Sequence, residues 1–269
     1  RAVVKRPLIM GVVNCTPDSF YEASRSGSCA LAVERALRLA EEGADLLDFG
    51  GQSTRPGADA VALDVERARV IPVIKALAPQ VKIPISIDTD RAVIAAQALE
   101  AGARIVNDVT ALRGDRGMAK VAAQAERVVL MHMQGSSPRT MQNAPHYDDC
   151  AREVGIFLSE RLEAFVAAGG RAERVWIDPG IGFGKTLEHN LELIRRVDEF
   201  SRVAPVLLGV SRKSLFGKIL PDAGPQDRLA GSLAVSAWAC LSGVAVLRVH
   251  DVLETRRLIE TMCAVAGVR

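Results

Sequence analysis

Aromatic residues are scarce: Phe, Tyr and Trp make up 4% of the 269 residues. A surface that stacks the bases of single-stranded nucleic acid needs several exposed rings, so nucleic acid is not an expected partner. A dominant charge is missing too. The formal net charge is +2, too little for a general polyanion binder, so any anion site must be local. No run of about 18 apolar residues occurs, and no membrane span is expected. The five cysteines, at positions 15, 29, 150, 240 and 263, form no CxxC pair and no regular framework, which reads as reduced thiols in a cytoplasmic protein. Four histidines without HxxxH or HxH spacing argue against a built-in zinc site. The chain starts at Arg1 with nothing like a signal peptide behind it; a trimmed start, or a domain cut from a longer chain, is the expectation.

What the chain has is alternation. Eight short apolar runs, residues 8–14, 46–51, 85–88, 104–108, 128–132, 175–178, 206–211 and 246–250, are separated by helix-like stretches at 29–42, 64–77, 91–101, 117–126, 148–168, 187–200, 226–241 and 252–266. Strand–helix alternation implies a parallel sheet. Eight units in a chain near the ~250 residues typical of the fold predict a single closed (β/α)8 TIM barrel. No shift in composition marks a boundary, so residues 1–269 are expected to form one domain. The near-repeats EEGADLLDFG, EAGARIVNDV and LSGVAVLRVH put Gly43, Gly102 and Gly243 at helix C-termini, with Gly169 in the same role. Asp64 has the chemistry of an N-cap.

Barrel active sites gather at the C-terminal ends of the strands, reached by the loops that follow them. Here the apolar runs close on Asn14, Asp48, Asp88, Asn107, His132, Asp178, Ser211 and the pair Arg248/His250. Arg248 and His250 are two apart, so a strand presents both on one face, where a guanidinium fork and a second donor suit a phosphate. The alternative is an Arg248–Asp251 ion pair beside a half-buried histidine. Asp88, then Asn107 with Asp108, and Asp178 close three such runs, and the carboxylates among them would repel if they faced each other unpaired. They suit a neutral ligand edge with several N–H groups, as on a pterin or a purine. The alternative is that each carboxylate caps the turn that follows it. Lys213 lies in the run from Ser211 to Ser214 (SRKS), before a helix whose N-terminus would favour an anion. GIGFGK (180–185) resembles a glycine loop that cradles phosphate, yet fits neither the P-loop nor the dinucleotide fingerprint. Met131 and Met133 read as barrel packing. His146 and His189 read as ordinary loop or helix-start residues. The long polar loops at 15–28 and 52–63 lie where substrate lids are found.

Taken together, IMGVVNCTPDSF (9–20), DFGGQSTRPGA (48–58), SIDT (86–89), IVNDV (105–109), LMHMQG (130–135), DPGIGFGK (178–185), GVSRKS (209–214) and RVHDV (248–252) resemble the dihydropteroate synthase family, in family order and over nearly the whole chain. The resemblance implies a pterin-binding TIM barrel that condenses 6-hydroxymethyl-7,8-dihydropterin diphosphate with 4-aminobenzoate in folate biosynthesis. It implies Asp88, Asn107, Asp178 and Lys213 around the pterin. It places Asn14, Thr54, Arg55, Arg248 and His250 around the diphosphate, with Mg²⁺ near Asn14. Phe20, Pro56, Lys213 and Ser214 would line the aminobenzoate. Asp88, Lys213, Arg248 and His250 are the expected catalytic set, in a reaction that needs positioning and electrostatics and no protein nucleophile. A homodimer is also implied, and the apolar helix at 229–241, with Trp238, could serve it.

Three positions depart from the family pattern. The first loop reads Tyr21-Glu22-Ala23-Ser24-Arg25 where a Gly pair is usual, Gln52 stands for the usual Glu, and Ile181 stands where Phe is common. Two rival readings are a methyltransferase using methyltetrahydrofolate and a non-catalytic pterin-binding paralogue. The first leaves STRPG, SRKS and RVHD without a role.

Overall fold

Each apolar run becomes a strand because it is buried on both faces, inward against the barrel interior and outward against helices. The structure is a computed structural model that describes residues 5–16, 25–54, 57, 59–135, 140–222 and 224–268, with backbone alone for 25–27, 225 and 226. The strands are β1 (Leu8–Asn14), β2 (Leu46–Gly50), β3 (Ile85–Asp88), β4 (Ile105–Asp108), β5 (Arg127–Met131), β6 (Val175–Asp178), β7 (Leu207–Leu208) and β8 (Val246–Val249). The helices among the described residues are α1 (Arg25–Glu41), α2 (Leu63–Leu77), α3 (Ala92–Glu100), α4 (Met118–Ala122), α5 (Cys150–Ala167), α6 (Leu187–Arg195), α7 (Leu215–Ile219), α8 (Leu229–Leu241) and α9 (Val252–Ala266). The sheet runs β6-β5-β4-β3-β2-β1-β8-β7, all pairs parallel, and a bridge between Ile177 and Val206 joins its two ends. The result is the expected (β/α)8 barrel.

Strand parity divides the apolar residues into two cores. Met10, Leu46, Ile105, Val129, Trp176, Leu207 and Val246 meet inside the barrel and form its floor. The alternate residues, among them Ile9, Leu47, Ile87, Val106, Leu130, Ile177 and Leu247, face outward and pack with the helices in a larger cluster. Burying one such side chain contributes roughly 1.5–3 kcal/mol. Counting two residues up from the floor reaches Val12, Asp48, Asn107, Met131, Asp178, Gly209 and Arg248; two more reach, among others, Asn14 and His250. The period of two therefore delivers polar side chains to the C-terminal mouth from a floor that is wholly apolar.

Several boundaries shift for local reasons. Gly43, Gly102, Gly169 and Gly243 do take positive φ (103°, 114°, 93° and 74°) after their helices. The N-cap of α2 is Ala62 rather than Asp64, which sits in the first turn and pairs with Arg67 at 2.6 Å. The seventh strand keeps two residues, because the chain leaves the sheet at Gly209 and turns through Arg212 at φ 56°. Arg196 (φ −106°, ψ 21°) ends α6, and a 3-10 stretch, Val197–Arg202, completes the expected helix. The predicted 226–241 helix divides into a 3-10 turn, Pro225–Arg228, and α8. The short α7 lies in a segment with no marked periodicity.

Candidate active site

The centre of the mouth is a buried ion cluster. Arg248 donates from Nε to Asp48 Oδ2 at 2.7 Å and from Nη2 to Asp88 Oδ2 at 2.9 Å, and Asn107 Nδ2 donates to the same Asp48 oxygen at 3.1 Å. Asp48 and Ser86, neighbours in register, are fully buried, and Asp48 Oδ1 and Ser86 Oγ have no hydrogen-bond partner among the described residues. Burial raises the Asp88 carboxyl above its ordinary range and the nearby Asp48 adds to this, while Arg248 works the other way. Burial would lower the Arg248 guanidinium, but Asp48 and Asp88 more than offset it and hold it charged. Two carboxylates facing one guanidinium leave the cluster an excess of acceptors.

Asp178 and Lys213 form the opposite wall. Asp178 Oδ1 accepts the Gly180 N–H at 2.8 Å. Lys213 donates from Nζ to the Ile181 carbonyl, and the same Nζ lies 4.8 Å from the centroid of the Phe183 ring. Burial lowers Lys213 to about 8 against the opposing pull of Asp178, and burial raises Asp178 against Lys213. A methyl group added at Gly209 would lie 3.7 Å from Asp178 Oδ2 and 3.8 Å from Arg248 Cβ, so the bare glycine leaves a gap between the two walls. Such a gap, edged by carboxylates, an amide and a lysine, suits a flat ring with several N–H groups and one acceptor.

A cleft of about 350 Å³ adjoins this mouth, lined by Asn14, Arg35, Arg212 and His250 among others. His250 is held by Ser211, whose Oγ lies 3.1 Å from both its backbone nitrogen and its Nδ1, and Arg35 donates to the His250 carbonyl at 3.1 Å. Arg212, not Arg248, pairs with Asp251, at 2.9 Å through Nε. The expected alternative of an Arg248–Asp251 pair is thereby overturned, because strand parity sends Arg248 inward. Thr54 is half-buried on the second loop, and Ser214 is exposed at the start of α7. That helix has five residues, so the N-terminus read from SRKS as favouring an anion belongs to a short helix. Phe20, Arg55 and Pro56 lie outside the described residues.

Two strand-end residues do not face the mouth. Asp108 has outward parity and closes the turn after β4, accepting from Thr110 N at 2.7 Å, Thr110 Oγ1 at 2.8 Å and Leu112 N at 2.9 Å. His132 also points outward, edge-on to Phe157 at 4.8 Å, with Nδ1 2.9 Å from the buried Lys185 Nζ. GIGFGK is no phosphate cradle: Lys185 turns back to the loop's own carbonyls, Gly180 O and Phe183 O, each at 2.9 Å. Asp48 and Lys185 are the residues that spacing alone left without a role. Inward parity from Leu46 is the signal for Asp48, while GIGFGK points to Lys185 only as part of a phosphate loop.

An eight-stranded parallel barrel with a polar, donor-and-acceptor mouth above an apolar floor defines a (β/α)8-barrel enzyme site. Residues 10–250 match the family described as pterin binding enzyme. Dihydropteroate synthase of Escherichia coli (strain K12) is 42% identical over 253 residues, covering 94% of this chain and 89% of the relative. The solved structure of Xanthomonas albilineans dihydropteroate synthase with 4-aminobenzoic acid superposes with a TM-score of 0.91 at 44% identity, covering 99% of this chain and 95% of the other. The enzyme from the same organism in complex with 7,8-dihydropteroate gives 0.87 at 41% identity, with 99% and 96% covered. The chain belongs to the pterin-binding enzyme family and, within it, to the dihydropteroate synthases.

Proposed function

We infer that this protein condenses 6-hydroxymethyl-7,8-dihydropterin diphosphate with 4-aminobenzoate, giving 7,8-dihydropteroate and diphosphate. The observation that carries the reading is full-length similarity to dihydropteroate synthases, one of them solved with 7,8-dihydropteroate. Asp178, Asn107 and Asp88 accept from the amino-pyrimidine edge of the pterin, and Lys213 donates to its carbonyl side. What supports this is the acceptor excess of the mouth and the gap at Gly209.

The diphosphate lies toward Asn14, Thr54, Arg55, Arg248 and His250. A guanidinium has five N–H donors, and Arg248 directs one each to Asp48 and Asp88. Charge grows on the bridging oxygen as its bond to the exocyclic carbon breaks, and fixed cationic donors stabilise it. The amine of 4-aminobenzoate forms the new C–N bond and releases a proton. Phe20, Pro56, Lys213 and Ser214 flank the benzoate. Asn14, half-buried at the end of β1, offers a single amide oxygen. That donor set suits Mg²⁺ held mainly by substrate phosphate oxygens and water. The metal would neutralise the departing diphosphate.

A homodimer is the assembly we assign. Its support is the exposure of Trp238 (47%) and Leu241 (46%) on α8, and light scattering of the purified protein tests it. A cytoplasmic location is supported by five free cysteines, and no helix among the described residues is long and apolar enough to cross a membrane. The decisive experiment for the activity is to supply both substrates and follow dihydropteroate and diphosphate together. A pterin-binding protein that forms neither would be the non-catalytic paralogue. Arg248→Ala should lower turnover and diphosphate affinity together, and normal kinetics would remove it from the site.

A further inference from the structure

The motif 180–185 remains unexplained by the reaction, and so does its buried lysine. Lys185 is 3% exposed, and its Nζ lies 2.9 Å from each of His132 Nδ1, Gly180 O and Phe183 O. An ammonium has three N–H donors, and here it meets three acceptors. A neutral amine meets the same three partners when His132 Nδ1 carries the ring proton, because its two N–H groups then donate to the carbonyls and its lone pair accepts from Nδ1. Either way the contact joins Lys185 to His132, and the ring proton sits on Nε2 when Lys185 is charged and on Nδ1 when it is neutral. Burial first, then Lys185, keep that ring neutral, lowering its pKa to about 2.

The rest of the loop is equally tied. Gly182 N donates to Asn190 Oδ1 at 2.7 Å, Gln142 donates to Gly182 O at 2.7 Å, and Tyr147 donates to Gly184 O at 3.0 Å. Its inner edge is what the pterin wall rests on. The Ile181 carbonyl takes Lys213 Nζ, the Phe183 ring lies beneath it, and the Gly180 N–H holds Asp178. Lys185 joins the Gly180 and Phe183 carbonyls, which bracket Ile181 and Gly182, so its amino group sets where the Ile181 oxygen and the Phe183 ring stand.

We propose that Lys185 is a positioning residue for the pterin pocket: by tying Gly180 O, Phe183 O and His132 together it holds the loop edge that orients Lys213. The proposal rests on the assignment of Lys213 to the pterin. The groups facing Lys185 are His132 after β5, Cys150 on α5, Asp178 on β6 and, across the loop, Lys213. Burial lowers its ammonium to about 7, with Cys150 and Asp178 opposing and Lys213 assisting.

The test is calorimetric titration of the full chain with 6-hydroxymethyl-7,8-dihydropterin diphosphate, without aminobenzoate, in Lys185→Met, Lys213→Met and the double variant. Lys185→Met is expected to weaken binding by about tenfold to a hundredfold, the loss a displaced binding group causes. The double variant should match Lys213→Met alone within about twofold, since contacting residues that act together are not additive. A merely structural role for Lys185 would lower the binding-competent fraction without changing affinity, and that result overturns the proposal. So does a double variant in which the two losses multiply. If Lys213→Met binds normally, the pterin assignment itself falls and takes the proposal with it. Should Lys185→Met fail to fold, His132→Leu removes one partner and keeps the amino group. A loss that disappears in the Lys213→Met background then supports the proposal, and unchanged affinity refutes it.

Discussion

Arg248 Nε sits 2.7 Å from Asp48 Oδ2, a carboxylate wholly buried between the barrel floor and the substrate mouth. Asp48 is therefore the counter-ion that allows a guanidinium to stand inside the barrel. Asp48→Ala should destabilise the fold by about 3–5 kcal/mol, the cost of leaving a buried charge without its partner. Asp48→Asn keeps a polar partner and should cost less. Urea unfolding midpoints of the two variants check the order; equal midpoints would mean that Asp88 alone suffices.

Asp178→Asn exchanges a carboxylate oxygen for an amide nitrogen beside pterin N–H groups. Pterin binding should weaken by about 1–3 kcal/mol, the cost of mispairing a buried hydrogen-bonding group. Calorimetry with the pterin substrate measures it, and unchanged affinity would move Asp178 from the pterin to the Gly180 turn alone.

Alkaline pH should weaken the enzyme without unfolding it. Burial lowers Lys213 to about 8, so its ammonium is lost as pH rises through that value and kcat/KM should fall above it. The effect on stability has the opposite sign. A lysine in the unfolded chain keeps its proton to about pH 10.4, so between about pH 8 and that value the unfolded state binds more protons, and stability gains from this group as pH rises. Kinetics of Lys213→Arg beside thermal unfolding across the range separate the two. An alkaline limb that persists unchanged in Lys213→Arg belongs to another group.

Gly180 has φ 70°, and a methyl group there would lie 1.8 Å from the His132 carbonyl oxygen. Gly243 has a similar φ of 74° with open space around it. Gly243→Ala should therefore cost only the left-handed strain, about 1–2 kcal/mol. Gly180→Ala should cost clearly more and disturb the pterin wall as well. Equal losses of stability in chemical denaturation would show that the backbone yields at Gly180.

How far the sequence foretold this site follows from strand parity. The period of two, counted along LLDFG or VLRVH, says which residues turn inward, and that rule places Asp48, Asn107, Asp178, Arg248 and His250 without coordinates. The same rule, counted from the floor residues Ile105 and Val129, turns Asp108 and His132 outward. Contacts across the barrel are different in kind. Asp48 and Arg248 are 200 positions apart, and their pairing depends on barrel closure, which no local pattern encodes. The part Lys185 plays is hidden for a related reason, since a lysine closing a glycine loop resembles a phosphate ligand. The third partner that makes it a knot, His132 Nδ1, arrives from another strand end.

The two ends of the sheet meet at a narrow seam. β7 has two residues, and the bridge from Ile177 to Val206, with Ile177 N donating to Pro205 O at 3.1 Å, joins it to β6. Asp178 stands on one side of that seam and Lys213 on the other. A pterin gripped by both would act as a clasp on the barrel's hoop, with ligand hydrogen bonds supplementing a joint that the peptide backbone makes sparsely. Amide hydrogen exchange at 177–178 and 206–209 should then slow on pterin binding more than at the broad β1–β2 junction. In that sense the substrate completes the architecture that receives it.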